Sequence, residues 1–245
     1  ISDTSLAATV LNTLDGNTTG AVNAATVTTL TGAAAAVITS YDSSGITGLG
    51  NEKLTLSGST SVANANTLAA DTTGVITATI TETDASTLAT LTETTNAYTI
   101  TVGDTSVTAA NLNTIDGATT VAVTATAVTT ITGAAADVNT AYASSGINGL
   151  GNEAVTLSDT TLAVATLNTL NGNTTGVVNA ATVATLTGAA SAMNTAYTAG
   201  GNSEISGLGN EAITLDDTTL AVATLNTLNG NTTGVVNAAT VATLT

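Results

Sequence analysis

The sequence predicts an α/β fold: a parallel solenoid whose coils of about 27 residues each carry a helix and a strand. Three observations lead there. Residues 155–187 and 213–245 differ at only two positions, Val155/Ile213 and Ser158/Asp216, so one block of sequence has been copied almost unchanged. Within each copy an Asp…Gly bracket encloses apolar residues at helical spacing, and a run rich in Val and Thr follows. Finally, the 245 residues include four Tyr and no Phe or Trp. Large aromatic side chains normally dominate a single thick core, whereas thin stacked layers can be built from Leu, Ile, Val, Ala and the Thr methyl.

The first helix type is bracketed by Asp3/Gly16, Asp104/Gly117, Asp159/Gly172 and Asp217/Gly230. Asp is a good N-cap that also suits the positive end of the helix dipole, and Gly ends a helix at C′. In the third bracket Ala163, Leu167 and Leu170 fall at i, i+4 and i+7 on one face. The run GVVNAATVATLT then reads as one strand buried on both faces of a parallel sheet. A second helix type pairs Val37 with Tyr41, Val138 with Tyr142 and Met193 with Tyr197, and ends in the sister copy at Gly146. After it comes a GLGNE turn, at 48–52, 149–153 and 207–211, and a short strand through residues such as Val155 and Leu157. Strand ends at Leu30, Leu56, Ile80, Val102, Ile131, Leu157, Leu186, Leu215 and Leu244 set the coil length. Counting every Leu-x-x-Leu anchor and GLG turn as a strand corner gives the alternative: an all-β parallel solenoid with about 19 residues per coil, favoured by the Thr content. The Asp…Gly brackets and Ala-rich i, i+4 pairs argue for helices.

The domain organisation expected is one continuous array over 1–245: repeat A at 1–73, irregular middle coils at 74–103, repeat B at 104–158, repeat C at 159–216 and a partial repeat D at 217–245. The middle reads as strand–helix–strand, with Asp84 as N-cap and Leu88 and Leu91 facing inward. Asp71 stands where the pattern elsewhere has Leu or Ile, which predicts a loosened coil there.

Composition excludes whole classes of chemistry. There is no His, Cys, Pro or Arg, so no Ser-His-Asp or Cys-His machinery, no His-ligated zinc and no disulfide framework. One Lys, Lys53, faces 17 carboxylates, and the net charge of −16 repels nucleic acid and anionic lipid. No apolar stretch reaches membrane-spanning length and no signal peptide stands in this window, so no membrane insertion is expected. With 7% charged residues and a mean hydropathy of +0.39, the chain is expected to be ordered.

Candidate sites are few. Glu52, Glu153 and Glu211 each follow a Gly-x-Gly turn and are weak calcium candidates, with the carboxylate of Asp159 completing a ligand set. The simpler reading is a turn in which Glu accepts from backbone amides. Dense carboxylate clusters are lacking, so folding is expected not to require calcium, and no cofactor or catalytic residue is assigned. GLGNE lacks the third Gly of a dinucleotide fingerprint. Thr-x-Thr triplets at 29–31, 130–132, 185–187 and 243–245 suit the outer face of a sheet, and stacked they would form the regular hydroxyl array of an ice-binding solenoid. Alternate coils with a different pattern are expected to interrupt that array. Asn17, Asn173 and Asn231 each open an Asn-Thr-Thr acceptor sequence, for which a turn role is the simpler account.

The strings SGIxGLGNEAVTL and DTTLxxATLNTLNGNTTG resemble the tandem modules of very large secreted bacterial surface proteins of the cyanobacterial and wider Gram-negative type. The resemblance covers most of the chain apart from the middle. It implies export to the cell surface or medium and a structural or adhesive role. The Gly-Gly-x-Gly-x-Asp nonapeptide of calcium-rolled adhesins is lacking. The expectation is therefore a non-enzymatic, rigid, acidic section of an extracellular fibre, surface layer or adhesin stalk. A ligand- or calcium-binding adhesin module and an ice-binding solenoid are the alternatives. Ile1 and Thr245 both fall inside repeats, so end-to-end self-association into a filament or longer array is expected.

Overall fold

The computed structural model describes residues 1–245. Nine helices punctuate the chain: α1 (Ala8–Gly16), α2 (Ala34–Asp42), α3 (Val62–Asp71), α4 (Ala85–Leu88), α5 (Ala109–Gly117), α6 (Ala135–Ala143), α7 (Val164–Asn173), α8 (Ala190–Gly201) and α9 (Val222–Asn231). The strands between them are short and their ladders are parallel throughout. The class is α/β, and nine helices leave no room for the all-β alternative.

Contacts divide the chain into two units. The first comprises 1–104, 114–125 and 145–148; the second comprises 105–113, 126–144 and 149–245. The first unit holds a five-stranded sheet in the order Ser5–Ala7, Thr29–Gly32, Lys53–Thr60, Ile76–Ile80, Ala97–Thr99. Two small ladders join it, Val22–Asn23 with Ile46–Thr47 and Val123–Thr124 with Ile147–Asn148. The second unit holds a five-stranded sheet running from Ser106–Thr108 through Thr130–Gly133, Ala154–Leu157 and Val178–Asn179 to Ile205–Ser206. Beside it lie a four-stranded sheet from Thr161–Ala163 to Val236–Asn237 and the pair Thr219–Leu220 with Thr243–Leu244.

The register measures the repeat directly. Ser5 pairs with Thr29 and Thr29 with Lys53, steps of 24 residues. Thr130 with Ala154 and Thr161 with Thr185 give the same step. It shortens to 20 between Thr77 and Ala97 and lengthens to 27 between Thr185 and Ala212. The expected repeat of about 27 residues is thus corrected to a step of 24 between most paired strands. The strand ends used to count were not partners of one another: Leu30 pairs with Leu54, and Leu56 pairs with Gly32. In-register apolar ladders form the core, Leu30–Leu54–Ile76 in one unit and Ile131–Val155–Val178–Ile205 in the other, all buried. Each helix lays one stripe onto such a layer, Leu11 from α1, Leu68 from α3, and Val164, Leu167 and Leu170 from α7.

Three sequence expectations are corrected. The helix expected directly after Asp159 starts later, at Val164, because Thr161–Ala163 pairs as a strand with Thr185–Thr187; Ala163 is therefore exposed, and Gly172 lies inside α7. The run GVVNAATVATLT is two strands, Val178–Asn179 and Thr185–Gly188, separated by a turn in which Asn179 Oδ1 accepts from the Ala181 amide. The corner turns Ala180 and Val183 into the core and leaves Ala181, Thr182 and Ala184 exposed. Asp71 occupies the last position of α3, where α7 and α9 have Asn173 and Asn231 rather than Leu or Ile. The middle does read strand–helix–strand: Asp84 caps α4 through the Thr87 amide, and Leu88 and Leu91 are buried.

Candidate functional site

The chain's most concentrated polar chemistry lies at the GLGNE turns, and it is buried. Glu52, Glu153 and Glu211 have no solvent exposure. Buried charge is costly unless hydrogen-bonded, and each carboxylate sits in the same cradle. Glu52 Oε2 accepts from the Tyr41 hydroxyl at 2.7 Å and the Gly50 amide at 2.8 Å. Glu153 Oε2 accepts from Tyr142 at 2.9 Å, Gly151 at 2.8 Å and the Asn152 amide at 3.1 Å. Glu211 accepts from Tyr197 at 3.0 Å and from the Gly209 amide at 2.9 Å. Helices α2, α6 and α8 supply the Tyr, and the turn supplies the amides. Gly50 and Gly151 have φ of +142° and +135°, a backbone that favours Gly.

The cradle extends into the following coil. The hydroxyls of Thr72, Thr174 and Thr232 donate to the main-chain carbonyls of Glu52, Glu153 and Glu211 at 2.7–2.8 Å. Each Thr oxygen then accepts from the amide of Gly74, Gly176 or Gly234. A Cβ on any of these three glycines would collide with the same Glu carbonyl, so the two backbones touch only because Gly is there. Burial, reinforced by the adjacent carboxylate, raises the pKa of all three Tyr hydroxyls, while the Thr hydroxyl works the other way. Glu52 Oε1 and Glu153 Oε1 are buried without a hydrogen-bond partner.

The turn reading of Glu52, Glu153 and Glu211 describes this geometry. Asp159, the fourth calcium candidate, serves a different structure: its Oδ2 accepts from the Ala135 amide at 2.8 Å, capping α6 of the preceding coil. Asp217 caps Ala190 of α8 at 2.8 Å and Glu82 caps Val62 of α3 at 3.0 Å. The Ala85 amide of α4 donates in the same way to Asp104 at 2.5 Å. The capping chemistry is legible in the sequence, but Asp104, Asp159 and Asp217 cap the helix upstream of them rather than the one that follows. No group of three or more carboxylates converges to hold a metal.

Sequence reasoning also missed a bond from one helix to the next or, for Asn66, to the turn just after α4. The side-chain amides of Asn12, Asn66, Asn113, Asn139 and Asn168 donate to carbonyls of Ala36, Thr90, Asp137, Thr166 and Ala192, 24–27 residues ahead, at 2.8–3.1 Å. The signal was available, since all five of these Asn stand in an apolar-Asn-Thr string on their helices. Outward Thr residues do align, Thr31 with Thr55 and Thr132 with Thr156. Lys53, Ala154 and Ala212 interrupt the neighbouring row. Asn17 is the C-cap of α1, and Asn173 and Asn231 close α7 and α9.

No helix is long and apolar enough to cross a membrane. Comparison with protein-family models, curated proteins and solved structures finds no match.

Proposed function

We infer that this chain is a non-enzymatic structural section, a parallel solenoid forming a stiff acidic rod in an extracellular fibre, surface layer or adhesin stalk. The observation that carries this reading is the parallel register at a near-constant 24-residue step, held by the same Tyr–Glu–Thr cradle three times over. Polar side chains here hold one coil to the next: Asp and Glu cap the helix before, Thr reaches back to the Glu carbonyl, and Asn joins successive helices. Such nearest-neighbour bonding lets stability add along an axis and lets an array lengthen by duplication.

End-to-end self-association belongs to the same reading. In a stacked array each coil offers the next its apolar layer and its strand edges, so a further coil or a second copy stacks on that face. Side-by-side contact is opposed by the charge of −16. Light scattering with negative-stain electron microscopy across a salt series tests both parts. Filaments of uniform width that thicken only at high salt are expected. Monodisperse particles at every salt concentration overturn axial stacking, and irregular clusters overturn the structural reading.

A further inference from the structure

One coil breaks the repeat in one place. Helix α8 runs for 12 residues where α2 and α6 run for nine, and the strand step there is 27 where the sister coil has 24. The added length lies in a single turn after Tyr197, Ala199–Glu204 standing where the sister copy has Ser144-Ser145-Gly146. This turn is firmly built. The amides of Asn202, Ser203 and Glu204 donate to the carbonyls of Thr198, Gly200 and Ala199 at 3.0–3.1 Å, and Asn171 Nδ2 donates to Glu204 Oε2 at 3.1 Å. In the first coil the equivalent of Asn171 is Asp15, which accepts from Ser43 instead. Ser203 has φ of +66° and is the chain's one non-Gly residue with positive φ. Strain of this kind persists where the surroundings hold it, often at sites that bind.

Beside the turn is a cleft of about 460 Å³, within the usual range for small-molecule sites. Val177, Leu208 and Tyr197 give it apolar wall, while Ser203, the Oδ1 of Asn231 (whose Nδ2 donates to Asn194 at 3.1 Å) and the Gly-rich main chain give it hydrogen-bonding edge. The Tyr197 hydroxyl is fixed on buried Glu211, so the ring is pre-oriented. No carboxylate and no cation lines the cleft, and the chain's charge repels anions. A lining that combines apolar side chains with neutral donors and acceptors fits a ring with one C–H face and hydroxyl edges. We propose that this cleft binds a neutral saccharide, its apolar face on Tyr197 and Leu208 and its hydroxyls on Ser203 and Asn231. The proposal is independent of the rod, which stands if the cleft binds nothing.

The test is an amide-resolved NMR titration of the full chain with cellotetraose, maltotetraose and chitotetraose at millimolar concentration. Shifts confined to Tyr197, the 200–209 segment and Val177 are expected with at least one of the three. Two variants locate the site: Ala199–Glu204 replaced by the Ser-Ser-Gly of the sister turn, and Val177→Arg, which fills the cleft from an exposed position. Each is expected to weaken binding roughly tenfold or more while leaving the remaining amide spectrum in place. No shift with any of the three sugars overturns the proposal. Binding unchanged in both variants overturns it as well.

Discussion

Tyr41, Tyr142 and Tyr197 are three of the four aromatic residues in the chain, and each is committed to one buried Glu. Their hydroxyls donate to carboxylates that have no other side-chain partner, so Tyr142→Phe leaves Glu153 with backbone amides alone. A buried group stripped of one partner costs about 1–3 kcal/mol. That loss is expected in denaturant unfolding, and an unchanged midpoint would show that the hydroxyl is dispensable. The fourth aromatic, Tyr98, is buried with no partner for its hydroxyl, and burial, with a smaller effect from Glu93, pushes its pKa up to about 12. The unfolded value is near 10. A raised phenol pKa stabilises the fold fully below pH 10 and loses that contribution as pH climbs through about 12. Absorbance titration should therefore show no native Tyr ionising near pH 10, the phenolate signal rising together with loss of ellipticity. Four residues titrating near 10 in a still-folded chain would contradict the burial. At Asp71 burial, and then Asp42, raise the carboxyl pKa, so its charged form works against the fold at neutral pH and the penalty vanishes in acid. Asp71→Asn, the residue type its sister positions carry, is expected to stabilise at pH 7 by only about a few tenths of a kcal/mol, because solvent screens this partly exposed carboxyl, and by nothing in acid. Thermal melts at the two pH values check both halves.

At the scale of elements, the unusual feature is that α3, α4, α6 and α8 are capped by a carboxylate from the next coil. Asp159 shows what sequence could and could not deliver. Its type, its place before an apolar run and its suitability as a cap were all readable in one dimension. The identity of the capped helix was not, because Ala135 lies 24 residues upstream and only the coil step brings them together. The same reason hid the Tyr–Glu–Thr cradle, which joins positions 142, 153 and 174, and the Asn bonds between helices. Helices, by contrast, were legible wherever local spacing sufficed, as with Leu167 and Leu170 or the Asp84 cap of α4. The two-strand corner within GVVNAATVATLT is hidden in the sequence because its inward Ala180 and Val183, with exposed Ala and Thr between them, keep the composition of a strand. Asp159→Ala separates the two assignments. It is expected to cost about 0.5–2 kcal/mol, with hydrogen exchange accelerating at the start of α6, around residues 135–138. Acceleration confined to α7, around residues 164–167, would restore the local cap and remove the cross-coil one.

For the whole molecule, the near-identity of 155–187 and 213–245 allows a test that few folds permit. Excising residues 159–216 joins Ser158 to Asp217 and recreates every junction that the excision removes. Asp217 takes the place of Asp159 over the Ala135 amide, and α9 carries the same ten residues as α7. Val236 meets Val155 as Val178 did, just as it already pairs with Ile213. Asn139 finds the Thr224 carbonyl in place of Thr166, the bond Asn194 already makes. A globular domain losing this much of its middle exposes its core. The solenoid proposed above loses two coils and keeps all its interfaces, because in such an array each coil contacts only its neighbours. The excised chain is therefore expected to fold cooperatively, with mean residue ellipticity close to that of the parent. Parallel strands lie about 4.8 Å apart, so small-angle scattering should find the long dimension shorter by about 10 Å at an unchanged cross-section. Stability should fall, because two coils' worth of buried layer is gone, yet the transition should remain single. An unfolded product, or a particle that shrinks in cross-section as well as length, would mean that contacts beyond nearest neighbours hold the chain together, and the rod would have to be abandoned.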